Sequence, residues 1–73
     1  METYRNLGMN SGVKYFQIGN SFIEIIFKHN PRVYRYSYII PGKIHVDNMK
    51  ILALKGQGLN SYIKKYVGNK FEK

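Results

Sequence analysis

Arg32-Val33-Tyr34-Arg35-Tyr36-Ser37-Tyr38-Ile39-Ile40 alternates without a break, and its reading decides the fold. In an extended chain Tyr34, Tyr36, Tyr38 and Ile40 fall on one side, with Val33, Arg35, Ser37 and Ile39 on the other. β-Branched and aromatic residues fill the stretch, and turn residues bound it at Asn30-Pro31 and Pro41-Gly42, so it predicts a strand. Three tyrosines in a row form either a core face whose hydroxyls reach the rim or a platform for stacking flat rings. A sheet face must also serve the helices that follow, which places at least one of Tyr34 and Tyr36 beneath them.

Upstream, Gly12 to Ile18 reads as a strand with Val13, Tyr15 and Gln17 on one side and Lys14, Phe16 and Ile18 on the other. Gly19-Asn20 supplies a tight turn, both residues tolerating the positive φ of primed hairpin turns. Ser21 to Lys28 is a second strand, apolar on nearly both sides as suits the centre of a sheet. His29-Asn30-Pro31 then turns into the tyrosine strand. Connections this short favour a meander of sequential neighbours. Residues 1–11 are polar, with Tyr4 and Leu7 able to dock, and read as a flexible lead-in to a domain over residues 12–68.

Beyond Pro41-Gly42 the period changes. Val46, Met49, Leu52 and Ala53 share one helical face between Ile44 and Lys55, and Asp47 or His45 is expected at its first turn, where Asp47 would complement the helix dipole. Lys55-Gly56-Gln57-Gly58 breaks the helix. Asn60 or Ser61 caps a shorter one with Leu59, Ile63 and Tyr66 or Val67 inward, ended by Gly68-Asn69. Residues 69–73 form a short basic tail in which Phe71 can anchor. The expected fold is therefore α+β: a three-stranded antiparallel meander followed by two short helices packed on one face.

Twelve Lys and Arg stand against four Asp and Glu among 73 residues, a net charge of +8. That field concentrates anions and points to phosphate-bearing partners, with an anionic membrane surface second. A chain this short builds only a small core, and with no cysteine it has no disulfide to supplement it, which makes a homo-oligomer the expected remedy. No apolar run approaches the ~20 residues of a spanning helix, and the start lacks a secretory pattern; the expectation is a cytoplasmic protein away from membranes.

The order of landmarks resembles the KTSC domain, a small domain found at the C-terminus of some lysyl-tRNA synthetases and as stand-alone bacterial proteins. The family's Tyr-x-Tyr pair corresponds to Tyr34 and Tyr36. Its small-residue and Lys-Gly segment, followed by Asn and Ile, corresponds to Ala53, Lys55, Gly56, Asn60 and Ile63. Leu54 stands where the family tends to have serine and Gly58 where an aromatic is common. The resemblance spans about Ser11 to Val67. The synthetase context implies an RNA-binding module.

Two places can carry binding chemistry. In Lys55-Gly56-Gln57-Gly58 the glycines expose backbone N–H groups at a helix start, and Lys55, Lys64 and Asn60 complete an anion pocket; the structural alternative is a helix end and a relaxed turn. On the tyrosine strand, Tyr34, Tyr36 and Tyr38 stack bases or fill the core, with Arg35 and Lys14 available to backbone phosphates. Val33 and Ile39 on the open face suggest a self-association surface. The acidic residues are scattered, His29 and His45 lie in different elements, and no serine has a nucleophile-elbow context. We therefore expect no enzyme, metal or cofactor. The expected function is a basic module binding RNA or another phosphate-bearing ligand. The alternatives are a homo-oligomer sequestering a nucleotide or cyclic-nucleotide signal, in the manner of virus-encoded defence inhibitors, and a protein–protein adaptor.

Overall fold

The computed structural model describes residues 1–9 and 11–72 as a sheet carrying two helices on one face. Lys73, counted above in the basic tail, and Asn10, in the lead-in, lie outside the described residues. The sheet has four antiparallel strands in sequence order rather than three: β1 (Glu2–Thr3), β2 (Val13–Ile18), β3 (Phe22–Phe27) and β4 (Asn30–Ser37). β1 pairs Glu2 with Phe16 and Thr3 with Tyr15. Two residues carry no strand periodicity of their own; this strand exists because β2 offers an edge.

Register sorts the sheet into cross-strand rows. Phe16, Ile25 and Tyr34 align on the helix side, as do Ile18, Ile23 and Tyr36. Gln17, Glu24 and Arg35 align on the opposite face, as do Tyr15, Ile26 and Val33. A bulge between Val13 and Tyr15 shifts the phase of β2, so Val13 is buried with Phe16 and Lys14 points out. Strict alternation had placed Val13 opposite Phe16.

Both hairpin turns differ from expectation. The first loop is Asn20-Ser21, closed by the Gly19 N–H donating to the Phe22 carbonyl at 2.9 Å, and neither Gly19 nor Asn20 takes positive φ. Gly19 is needed for closeness instead: a Cβ there would lie 2.1 Å from the Phe22 ring. The second turn is Lys28-His29, with Phe27 opposite Asn30, so Asn30 and Pro31 belong to β4. Register shifts between Ile26 and Phe27, leaving Pro31 and Arg32 extra on β4, where a residue lacking N–H costs the ladder nothing. The Asn30 side chain accepts the Arg32 N–H at 3.0 Å and stabilises this bulge.

β4 stops at Ser37, three residues short of the alternating pattern. The buried Ser37 hydroxyl accepts the N–H groups of Ile39 and Ile40, both at 3.2 Å, and folds them into a turn. Ile39 therefore leaves the sheet, and Val33 and Ile39 do not share a face. α1 (Lys43–Lys55) follows and buries Val46, Met49 and Ala53 on the sheet, as their spacing requires. Gly56 ends it at φ 78°, its N–H reaching the Leu52 and Ala53 carbonyls.

α2 (Leu59–Tyr62) starts after Gly58, and the chain then widens into a π-helical stretch over Ile63–Val67. The wider turn brings residues four apart onto one face. Leu59, Ile63 and Val67 are buried, while Tyr66 is exposed. The core joins these three to Ile23, Ile25, Tyr36, Val46 and Met49, with Phe16, Val13 and Tyr4 at one side. Tyr4 is the docking residue of the lead-in; Leu7 is exposed. At the other terminus Phe71 packs on the edges of Tyr34 and Tyr36, and the Glu72 N–H donates to the Arg35 carbonyl at 2.8 Å, covering part of the β4 edge. No helix of the described residues is long and apolar enough to cross a membrane.

Candidate functional site

One end of the molecule holds a cleft between the β3–β4 hairpin, α2 and the C-terminal segment. Phe27, Tyr34 and Tyr36 come from the sheet, Asn60, Ile63 and Lys64 from α2 and its continuation, and Phe71 closes the side, enclosing about 410 Å³. Tyr34 meets Phe27 edge-on at 5.4 Å and Phe71 at 4.8 Å between ring centres. The Arg32 guanidinium lies 5.0 Å from the Tyr34 ring centre and 5.4 Å from that of Phe71, stacking a cation on the aromatic cluster. Asn30 donates its amide to the Tyr34 hydroxyl at 2.8 Å, which fixes the ring at the mouth.

Two further depressions adjoin this cleft. One, of about 190 Å³, is lined by Ser11, Gly58, Asn60, Ser61 and Lys64. The other, of about 520 Å³, includes Met9, Gly12, Lys28 and His29, and again Asn60 and Lys64. Asn60 and Lys64 line all three, separated by one helical turn on the face that looks along the hairpin end. The resulting groove offers ring edges, amides that donate or accept, and exposed cations. Burial, and then the neighbouring Tyr34, push the Tyr36 hydroxyl up to about 12, so the floor stays neutral at any physiological pH.

Tyr34, Tyr36, Asn60 and Lys64 thus come together in the groove, with Gly58 at its polar end. Lys55, Gly56 and Gln57 are not among the residues lining these depressions. The N-terminal segment bonds to that loop at two carbonyls, the Arg5 guanidinium donating to Leu54 and the Leu7 N–H to Gly56 at 2.7 Å, while Lys55 and Gln57 stay exposed. The first N–H of α2, that of Leu59, donates to the Tyr4 hydroxyl at 3.2 Å.

Tyr38 lies elsewhere, between sheet and α1. Its hydroxyl donates to Asp47 at 2.6 Å, and Lys43 donates to the other carboxylate oxygen at 2.6 Å. Those bonds, that from Lys43 foremost, hold the Asp47 carboxyl below the usual range, and the same Asp47 bond raises Lys43. Arg35 is on the opposite sheet face, forked onto Glu24 at 2.9 and 3.1 Å and stacked on Phe22. Lys14 stands 5.3 Å from the Tyr15 ring centre on that face.

The sequence reading missed Arg32, Lys28, Phe27 and Phe71 as groove residues. The Pro31-Arg32 pair two residues before Tyr34 was a visible signal, since Pro31 favours a bulge and the bulge leaves Arg32 out of the ladder. Phe71 had none beyond being an aromatic in a polar tail. Among the described residues no three His, Cys, Asp or Glu side chains converge to hold a metal ion. His45 Nδ1 lies 2.8 Å from the Tyr62 hydroxyl, a contact between α1 and α2 away from the groove residues above. The chain matches no protein-family model, no curated protein and no solved structure.

Proposed function

We propose that the groove binds a phosphate-bearing ligand, RNA in the first instance, and that the protein is a binding module rather than an enzyme. The observation that carries this reading is the convergence of Asn60 and Lys64 on three adjoining depressions beside an aromatic cluster topped by Arg32. Lys64 and Arg32 supply charge to phosphate, the asparagine amides supply donors and acceptors to base edges, and the rings supply stacking surface. A net charge of +8 brings polyanions to the surface. The KTSC-like landmarks support the same reading, because Tyr34, Tyr36, Asn60 and Ile63, which carry the resemblance, all line one cleft. Ala53, Lys55 and Gly56, which carry the rest of it, serve the end of α1.

A second reading, a homo-oligomer that sequesters a small nucleotide, draws on different observations. The cleft volume lies within the range of small-ligand sites. Ile44, Ile51 and Leu54 project from the outer side of α1 into solvent and supply an apolar surface for a second copy. Salt separates the readings. RNA binding measured by fluorescence anisotropy weakens steeply as salt rises, and Lys64→Ala weakens it at every salt concentration. A nucleotide binder instead shows a ligand-dependent rise in melting temperature with little salt dependence. Wild-type protein that binds neither RNA nor nucleotide at low salt overturns both.

A further inference from the structure

The groove does not end at the hairpin. Lys28 and His29, which wall its largest depression, also wall a fourth depression of about 410 Å³ on the outer face of the sheet. That depression is lined further by Lys14, Tyr15 and Pro31, and Asn30 borders both it and the aromatic cleft. The β3–β4 turn is therefore a saddle with a depression on either side. An aromatic ring stands at each end of the path across it: Tyr34 in the groove and Tyr15 on the outer face, the latter with Lys14 over it.

The charges follow the same path. Lys64, Arg32, Lys28 and Lys14 are all exposed along it, and none of the residues lining the four depressions is acidic. Two of the four side-chain carboxylates are already paired with cations, Glu24 with Arg35 and Asp47 with Lys43. A mononucleotide fills one depression and leaves the remaining cations unused. A flexible polyanion with flat bases fits the whole sequence of cation, ring, saddle, cation and ring.

Resting on the groove reading above, we infer that the ligand is a single RNA strand that runs from the Tyr34 cleft over the Lys28-His29 turn to Tyr15. It places one phosphate at each of Lys64, Arg32, Lys28 and Lys14 and stacks a base at each end. A duplex is too stiff and too broad to fold across a two-residue turn. The footprint is about four nucleotides, the lower end of what small single-strand modules cover. Four phosphates give a slope of log affinity against log salt of about −2.8, and two give about −1.4.

The test is an anisotropy series with 5′-phosphorylated oligouridines of one, two, four and eight nucleotides, which carry one phosphate per nucleotide, on wild type, Lys64→Ala and the double variant Lys14→Ala/Lys28→Ala. All three exchanged lysines are exposed, so the fold is retained and circular dichroism checks it. Affinity rises from one to four nucleotides and changes little beyond, apart from the statistical gain of a longer lattice. The double variant binds the tetramer about 25-fold more weakly at 0.1 M salt with its slope halved, and binds mono- and dinucleotides as wild type does. Lys64→Ala weakens every length. A tetramer bound no tighter than the dinucleotide, or a double variant that loses all lengths equally, overturns the strand path and leaves the groove standing. Wild type that binds no length overturns the groove and the path together.

Discussion

Tyr4→Phe removes a single oxygen, yet it is expected to loosen the element that carries Asn60 and Lys64. Tyr4 is 3% exposed and Leu59 is 0% exposed. The Tyr4 hydroxyl accepts the Leu59 N–H at 3.2 Å and so satisfies the first N–H of α2, which has no partner within the helix. Phenylalanine keeps the ring, its contacts and its buried apolar area, so the transfer contribution is almost unchanged. What remains is a buried amide with no acceptor, which costs about 1–3 kcal/mol. A 73-residue domain holds about 4–11 kcal/mol in total, so the loss is a large fraction of its stability. Urea unfolding followed by tyrosine fluorescence should show a lower midpoint with an unchanged m-value. Thermal unfolding should fall by about 4–8 °C for each kcal/mol lost. Tyr66→Phe is the control, because Tyr66 is half exposed, and it should change little. A Tyr4→Phe midpoint within about 0.5 kcal/mol of wild type would refute the reasoning, since surface exchanges produce that much on their own.

Three other perturbations test separate parts of the structure. Tyr36 ionises near 12 when folded against an ordinary value of 10.0, so unfolded chains lose this proton first as pH rises. Stability is thus fully present below pH 10 and falls by about 2–3 kcal/mol towards pH 12, and Tyr36→Phe should remove that part of the alkaline slope. Tyrosinate absorbance in which all seven tyrosines of the folded protein ionise together near pH 10 would contradict this. Asp47, held below its ordinary 3.8 by Lys43 and Tyr38, contributes stability above that pH and loses it as pH falls through its folded value. Asp47→Asn should lower the melting temperature at pH 7 and flatten the acid limb; an unchanged limb would show that the bonds contribute nothing. Gly56→Ala places a Cβ at φ 78° and 2.9 Å from the Arg5 Cβ, so it should cost about 1–3 kcal/mol by equilibrium unfolding, whereas a neutral result would contradict both the left-handed cap and the close approach of the N-terminal segment.

Much of the architecture could be read from local pattern, where one residue's neighbours in sequence are also its partners in space. Ile23 and Ile25 face the core because β3 is regular there, and Val46, Met49 and Ala53 do so because α1 is. The reading failed where a side chain or a second segment overrules the period. Ser37 bends the chain through its hydroxyl, and a bulge turns Val13 inward. β1 is decided by the β2 edge that receives it. The groove divides in the same way. Tyr34, Tyr36, Asn60 and Lys64 were visible as residues suited to bases and phosphates, but not as neighbours. Lys55 and Gly56 looked equally suited; the N-terminal segment, whose path depends on Tyr4 entering the core, bonds to the Gly56 carbonyl, and Lys55 stays exposed outside the groove lining. Phe71 and Arg32 became groove residues through pairing of the tail with Arg35 and through the Pro31 bulge, neither of which has a periodic signature.

An amide-resolved NMR titration of the full chain with tetrauridine at low salt bears on the groove most directly. Shifts should concentrate on the backbone of Tyr34, Lys64 and Phe71 and on the side-chain amides of Asn30, Asn60 and Asn69, extending over Lys28 and His29 to Tyr15 where the strand crosses the turn, with the outer side of α1 at Ile44 and Ile51 unmoved. Shifts confined to α1, or scattered evenly over the lysines, would contradict a built site at this end of the sheet.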